Sequence, residues 1–395
     1  MIFSGHALHE DSLTAQTAMS GSMMRFYEHM GYPGVDVLTE GNKNYWIVKQ
    51  LTSAARQLGQ KFLLSELYGC TGWQFNFESH RNVGLWQALF GINLRCHHLA
   101  WYTMEGESKR DYPASIFYQS AWYKDYKFIE DYFSRIGFIM SKGSPVCSTL
   151  VINPVESVWC QVHPGWCKGL TANTFEIKKI EEQYSKLFHW LQEAHIDFDY
   201  GDEEMLSRLS SIETKDNNAV LKVGEAAYEQ VIVAGMTTMR LSTYKLLVQF
   251  INSGGKVIFA GETPQYIDAI PSTVLTSLSD KYEKVEFERD VVINACRKNL
   301  KSIVQIKDIE GKDVEEVFVQ IRQEEDNYYV LMINTNTEKA IKNVKVTFNC
   351  EGYIEEWDCS TGTRFNWKNI MTIDFPGSDF LLFRFTICRR REVIA

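Results

Sequence analysis

The chain is 395 residues long, carries a formal net charge of −9, and is 45% hydrophobic and 23% charged. That length predicts about two or three domains, with ample material for their cores. The acid is spread along the chain rather than gathered in a tail, so it excludes a nucleic-acid footprint and reads as a solvated surface.

Met1-Ile2-Phe3-Ser4-Gly5-His6 has no basic region and no long apolar stretch, so no signal peptide is expected and the chain reads as cytoplasmic. It enters directly into a short strand whose exit, Gly5 to Ser12, crowds two histidines and two carboxylates. Apolar spacing predicts a helix over Thr14 to Tyr32, a strand over Gly34 to Leu38 and a helix over Tyr45 to Leu58, which Gly59 ends. The run Lys61-Phe62-Leu63-Leu64-Ser65-Glu66-Leu67 reads as a strand buried on both faces, with a carboxylate at its end and a Gly-rich turn, Tyr68 to Trp73, beyond it. A helix over Glu78 to Phe90, a strand over Gly91 to Tyr102 and a long helix over Tyr123 to Met140 follow. Alternation at this spacing implies a parallel sheet of about four strand–helix units: half of a (β/α)8 barrel, or an open doubly wound sheet. No Gly-x-Gly-x-x-Gly loop follows any strand, which disfavours nucleotide binding.

Ser141 to Pro145 marks a break. Buried strands at Val146 to Pro154, Asp197 to Tyr200, Gln230 to Gly235 and Lys256 to Gly261, with helices at Thr174 to Ala194 and Leu241 to Ile251, read as a three-layer α/β domain of flavodoxin-like order. From about Val314 the pattern changes to strands at 315–322, 328–334, 344–348, 355–358 and 380–385, an antiparallel β-sandwich. The expected division is residues 1–142, 143–312 and 313–395.

The strand ends of the first domain collect His6, Glu10, Asp11, Asp36, Glu40, Glu66, Tyr68, Trp73, His97, His98, Trp101 and Tyr102. In a parallel α/β sheet the carboxyl ends of the strands house the chemistry, so Glu66 is the first candidate for catalysis. Its plain alternative is a strand-end glutamate that caps a helix or pairs with an arginine. Rings that stack on C–H faces, with carboxylates and imidazoles that bond hydroxyls, suit a carbohydrate. Glycosidic cleavage needs two carboxyl groups, one to protonate the leaving oxygen and one to attack or to activate water. Each member also has a structural alternative: His6 and His97 as core histidines bonded to carbonyls, Asp11 with Ser12 as a helix N-cap, Glu10 as a solvated edge, Trp73 and Trp101 as packing. Glu107 to Pro113 is a polar loop placed over the same rim, where Arg110 or Tyr112 binds substrate or Arg110 pairs with Asp111.

Nine cysteines include no Cys-x-x-Cys pair and read as free thiols in a reducing compartment. Cys160, His163 and Cys167 form the closest trio of possible metal ligands but lack a fourth, so no metal and no cofactor are expected. No apolar run approaches the ~20 residues that cross a bilayer, and no membrane partner is expected.

In this order, Ser4 to Ser12, Ser65 to Trp73, Trp86 to Asn93, Lys109 to Pro113 and Pro154 to Trp159 together resemble large bacterial glycoside hydrolases related to family 2 and to the family 106 α-L-rhamnosidases. The resemblance implies a (β/α)8 barrel followed by a flavodoxin-like domain and β-sandwich modules. It places Glu66 at the end of the seventh barrel strand, as nucleophile or general base. His6, Glu10, Trp73, His97, His98, Tyr102 and Arg110 would shape the sugar subsite. The proton donor would stand on the fourth strand, while this chain starts at the fifth. Three expectations follow: completion by a separate N-terminal barrel half, closure by a second copy, or a truncated product without activity of its own. A non-catalytic carbohydrate-binding protein is the alternative of a different class, and a flavin or nucleotide protein using the middle domain is a third.

Overall fold

The computed structural model describes residues 1–107, 113–215, 218–275, 281–349 and 351–387. It opens with four strands, β1 (Ser4–Gly5), β2 (Tyr32–Asp36), β3 (Leu64–Leu67) and β4 (Leu94–His97), hydrogen-bonded in that order and all parallel. Between and after them come α1 (Leu13–Met19), α2 (Met23–Glu28), α3 (Tyr45–Leu58), α4 (Phe77–Leu89) and α5 (Lys127–Met140). The helix expected over Thr14 to Tyr32 is two helices, because Gly21 takes a φ of +84° between them. The helix α3 has the expected bounds, ended by Gly59 in the left-handed region.

The strand β3 departs from expectation in an informative way. It is not buried on both faces: Ser65 and Leu67 are buried, while Leu64 and Glu66 are half-buried. The period-two alternation therefore points Glu66 to the less covered face, with its in-register partners Asp36 on β2 and Cys96 on β4. Among the described residues, β1 and β4 each pair with one strand only and stand at the two ends of the sheet.

A second sheet holds five parallel strands: β5 (Thr149–Ile152), β6 (Asp199–Gly201), β7 (Gln230–Ala234), β8 (Lys256–Ala260) and β9 (Glu283–Val285). Their spatial order is β9-β8-β7-β5-β6, the 2-1-3-4-5 sequence of one common doubly wound sheet. Its helices are α6 (Val155–Trp159), α7 (Phe175–Glu193), α8 (Glu203–Leu209), α9 (Leu241–Asn252) and α10 (Arg289–Arg297). In such a sheet ligands enter the crevice where the strand order reverses, beyond the carboxyl ends of β5 and β7. That crevice is occupied by the chain itself. Ser157 on α6 accepts the backbone N–H groups of Thr237 and Thr238 at 3.0 and 3.2 Å, so the groups that could cradle a phosphate are already bonded.

The last strands are β10 (Val304–Lys307), β11 (Val317–Glu324), β12 (Asn327–Asn334), β13 (Ile341–Phe348), β14 (Gly352–Trp357), β15 (Arg364–Trp367), β16 (Ile370–Phe375) and β17 (Phe380–Ile387). They form antiparallel sheets in the orders β10-β13-β16 and β15-β14-β17-β12-β11, with Ser144–Pro145 added beyond β11. Val330, Val344, Val346, Phe375 and Phe383 fill the core between them.

One apolar cluster joins the three parts. Tyr45 of α3 meets Phe188 of α7 at 6.0 Å and Phe318 of β11 at 5.5 Å between ring centroids. Polar contacts reinforce it: Arg56 of α3 donates to Asp197 and Asp199 at 2.9 Å each, and the fully buried Lys49 pairs with the same two carboxylates. No helix of the described residues is long and apolar enough to cross a membrane.

Candidate functional site

The site stands where the first sheet ends. Asp36 closes β2, Glu66 is the penultimate residue of β3, and the register sets them side by side. His6 follows β1 and turns its ring onto Glu66: Nε2 lies 2.6 Å from Oε2. His98 follows β4 and brings its Nε2 to 3.8 Å from the other oxygen of Glu66. The glutamate predicted from the strand pattern is thus partly open to solvent, at 23% of its side chain, and gripped from two sides by imidazoles.

The ring of His6 can be assigned from its neighbours. Its Nδ1 faces the carbonyl of Ala7 at 2.6 Å, and a carbonyl only accepts, so Nδ1 carries a proton. When the ring is protonated at Nε2 as well, that N–H donates to Glu66 Oε2. Burial lowers the affinity of His6 for that proton, but the Ala7 carbonyl, Glu66 and Asp36 outweigh it and raise the pKa above its ordinary value. Asp36 is raised as well, by burial first and by the negative charge of Glu66 second, with His6 and His98 pulling the other way.

Glu10 is not a solvated edge. It is 3% exposed, and its carboxyl oxygens accept the backbone N–H groups of Ala7 at 3.1 Å and Asp36 at 3.4 Å. Burial pushes its pKa up to about 8 against the pull of those two donors. Through those two bonds it ties the exit of β1 to the exit of β2. Asp11 is not the helix cap either. Ser12 caps α1 through the N–H of Ala15, and Asp11 accepts from Asn44 at 2.8 Å.

Of the remaining candidates, His97 is turned away. It is in register with Leu67, one residue along from the Glu66–Cys96 pair, so the pleat sends it to the helix side of the sheet. There it meets Tyr68 and Tyr126 and lies 3.3 Å from Glu130. Trp73 and Trp101 leave the same sheet end in the loops after β3 and β4. They stack at 5.4 Å and 24°, with Trp73 46% exposed and Trp101 buried beneath it. Tyr102 is fully exposed. Arg110 lies outside the described residues. The residue that strand-end reasoning underweighted is Asp36; it was expected within a strand reaching Leu38, and only the observed register shows it abreast of Glu66.

His6, Asp36 and Glu66 each offer an atom, and these atoms lie within 4.8 Å of one another, close enough to hold a cation together. Among the described residues Cys160, His163 and Cys167 form no such group, and the described cysteines are free thiols.

No family model matches the chain, and no curated protein matches it. Solved structures do. A rhamnosidase from Novosphingobium sp. PP1Y superposes with a TM-score of 0.68 at 14% identity, over 100% of this chain and 38% of that one. A catalytic mutant of a family 42 β-galactosidase from G. stearothermophilus gives 0.63 at 12% identity, over 92% and 60%. A family 42 exo-carrageenase from Bacteroides ovatus gives 0.60 at 11%, over 93% and 49%. The chain shares its fold with these three enzymes and spans between about two-fifths and three-fifths of their length.

Proposed function

We propose that this chain is the catalytic-base half of a glycoside hydrolase barrel, followed by a flavodoxin-like domain from 143 to 312 and a β-sandwich from 313. One observation carries the reading. A carboxylate stands at the carboxyl end of a parallel strand, on the less covered face of the sheet, oriented by an imidazole at 2.6 Å. Glu66 is the nucleophile or the general base. His6 positions it and donates to its Oε2, which leaves Oε1, beside His98, to face the reacting carbon or water. The exposed face of Trp73 is a platform for a sugar ring beside this centre, with Tyr102 at its margin. The proton donor comes from four further strand–helix units that pair with β1 and β4 and complete residues 1–142 into a barrel. The linkage we favour is rhamnosyl or galactosyl, following the enzymes that share the fold.

The test is Glu66→Gln in the completed barrel. Turnover of rhamnosides and galactosides should fall by at least ~10³-fold, a value typical of losing a group that acts in the chemical step, with the melting temperature unchanged. Normal turnover in the Gln variant would sink the assignment.

A second reading, a carbohydrate-binding protein that does not cut, is favoured by the two ends of the sheet, which pair with no further strand among the described residues and leave Glu66 on an open floor. Binding of a glycan with no release of reducing sugar by the completed barrel would select it.

A further inference from the structure

The β-sandwich carries a feature that the barrel site does not use. The strand β15 is the edge of the larger sheet, and all four of its residues are exposed. A turn of two residues, Lys368 and Asn369, joins it to β16, the edge of the smaller sheet. Both sheets therefore end at one lip. Phe365 and Trp367 are two residues apart, so they project from one face of β15, ~7 Å apart along the strand. They are 52% and 37% exposed, and Ile370 beside them on β16 is 58% exposed. An unsupported pair of rings on an edge strand would be expected to collapse inward. These do not, and Trp367 is held in place: its Nε1–H donates to Glu356 Oε2 at 2.7 Å across the β14–β15 ladder.

We propose that this lip is a second carbohydrate-binding site, separate from the Glu66 centre, which holds a stretch of a polysaccharide chain by stacking consecutive sugar rings on Phe365 and Trp367. The proposal rests on the reading of the chain as a glycan-active protein and adds the place where a polymer is held. Two features favour a glycan over a peptide or a second copy. The two rings, ~7 Å apart along the strand, are far enough apart to meet different rings of one extended polymer. Glu356 presents a carboxylate at the edge of the indole, where the hydroxyls of a stacked pyranose would lie, and burial raises its pKa only against the pull of Trp367. A protein partner would require a contiguous apolar core to its interface.

The test is electrophoresis of the whole chain carrying Glu66→Gln through native gels with and without dissolved rhamnogalacturonan, arabinogalactan or carrageenan. Retardation in at least one gel is expected. The double variant Phe365→Ala/Trp367→Ala should weaken it by about tenfold or more, and Phe365→Tyr/Trp367→Phe should restore it, because stacking needs a ring and not a particular one. Equal retardation of the Ala double variant, or none in any of the three gels, would overturn the site. Hydrolytic activity does not enter this readout, so failure of the lip and failure of the Glu66 assignment are told apart.

Discussion

Glu130 of α5 shows how a single carboxyl can be held in place by the back of a sheet. Burial works to raise its pKa, but the bond with His97 and the charge and bond of Arg95, at 2.7 Å, overcome this and lower it to about 2. A carboxyl with a folded pKa below its ordinary 4.5 contributes stability above that value and loses it as pH falls toward 2. Glu130→Gln should therefore lower stability at pH 7 by about 1 kcal/mol, a modest figure because the side chain is 43% exposed and solvent screens it. Denaturant midpoints should converge for the two proteins near pH 2. The same scale shows what could be read beforehand. Glu66 was legible because it ends an apolar run. The true neighbours of Glu66 were not, since one residue of register decides that Cys96 and not His97 lies abreast of it. The role of Glu10 was hidden for a similar reason: its burial depends on β1 and β2 meeting in space, which a run of polar letters does not reveal.

Elements were more legible than contacts. The bounds of α3, the long α7 and strands β7 and β8 follow from periodicity and Gly stops, because long buried runs allow little choice. The short pieces α6, α8 and β9 and the edge strands β15 and β16 were not foreseen. Their local patterns are too brief, and β15 is polar and apolar in alternation without being buried. Packing between elements has its own controls. Gly84 in the middle of α4 is one: a Cβ there would sit 2.4 Å from the ring of Phe133 on α5. Alanine favours a helix over glycine by roughly 1 kcal/mol, but overpacking a core costs roughly 1–3 kcal/mol. Gly84→Ala should therefore be neutral to destabilising by up to about 2 kcal/mol by urea unfolding. Adding Phe133→Leu should recover part of that loss. If Gly84→Ala stabilises the protein, α5 is not packed against α4 as described.

At the scale of the whole molecule the ion cluster of Lys49, Arg56, Asp197 and Asp199 matters most. It joins the first sheet's helix layer to the second sheet, and Tyr228 adds a donor to Asp199 at 3.0 Å. Burial would raise Asp197, but Arg56 and then Lys49 hold it below the ordinary carboxylate range. Removing one partner strands the others in a dry interface, which costs about 3–5 kcal/mol. Arg56→Met should lower the urea midpoint accordingly. It should also make acid unfolding begin at a higher pH, since a carboxylate freed from its arginine takes up a proton sooner. An unchanged acid transition would show that the cluster does not join the two parts. No spacing along the chain announces this cluster, whose members lie some 140 residues apart in sequence.

Ser157, described above as bonding the two amides after β7, has a consequence for what the middle sheet is for. Arg25 on α2 reaches to the same end of that sheet, donating to Asp202 at 2.8 Å and pairing with Glu156 on α6. The place where a doubly wound sheet would ordinarily admit a coenzyme has been turned into a bracket. It holds the first sheet's helix layer against the carboxyl end of the second sheet through donors and acceptors already paired within the chain.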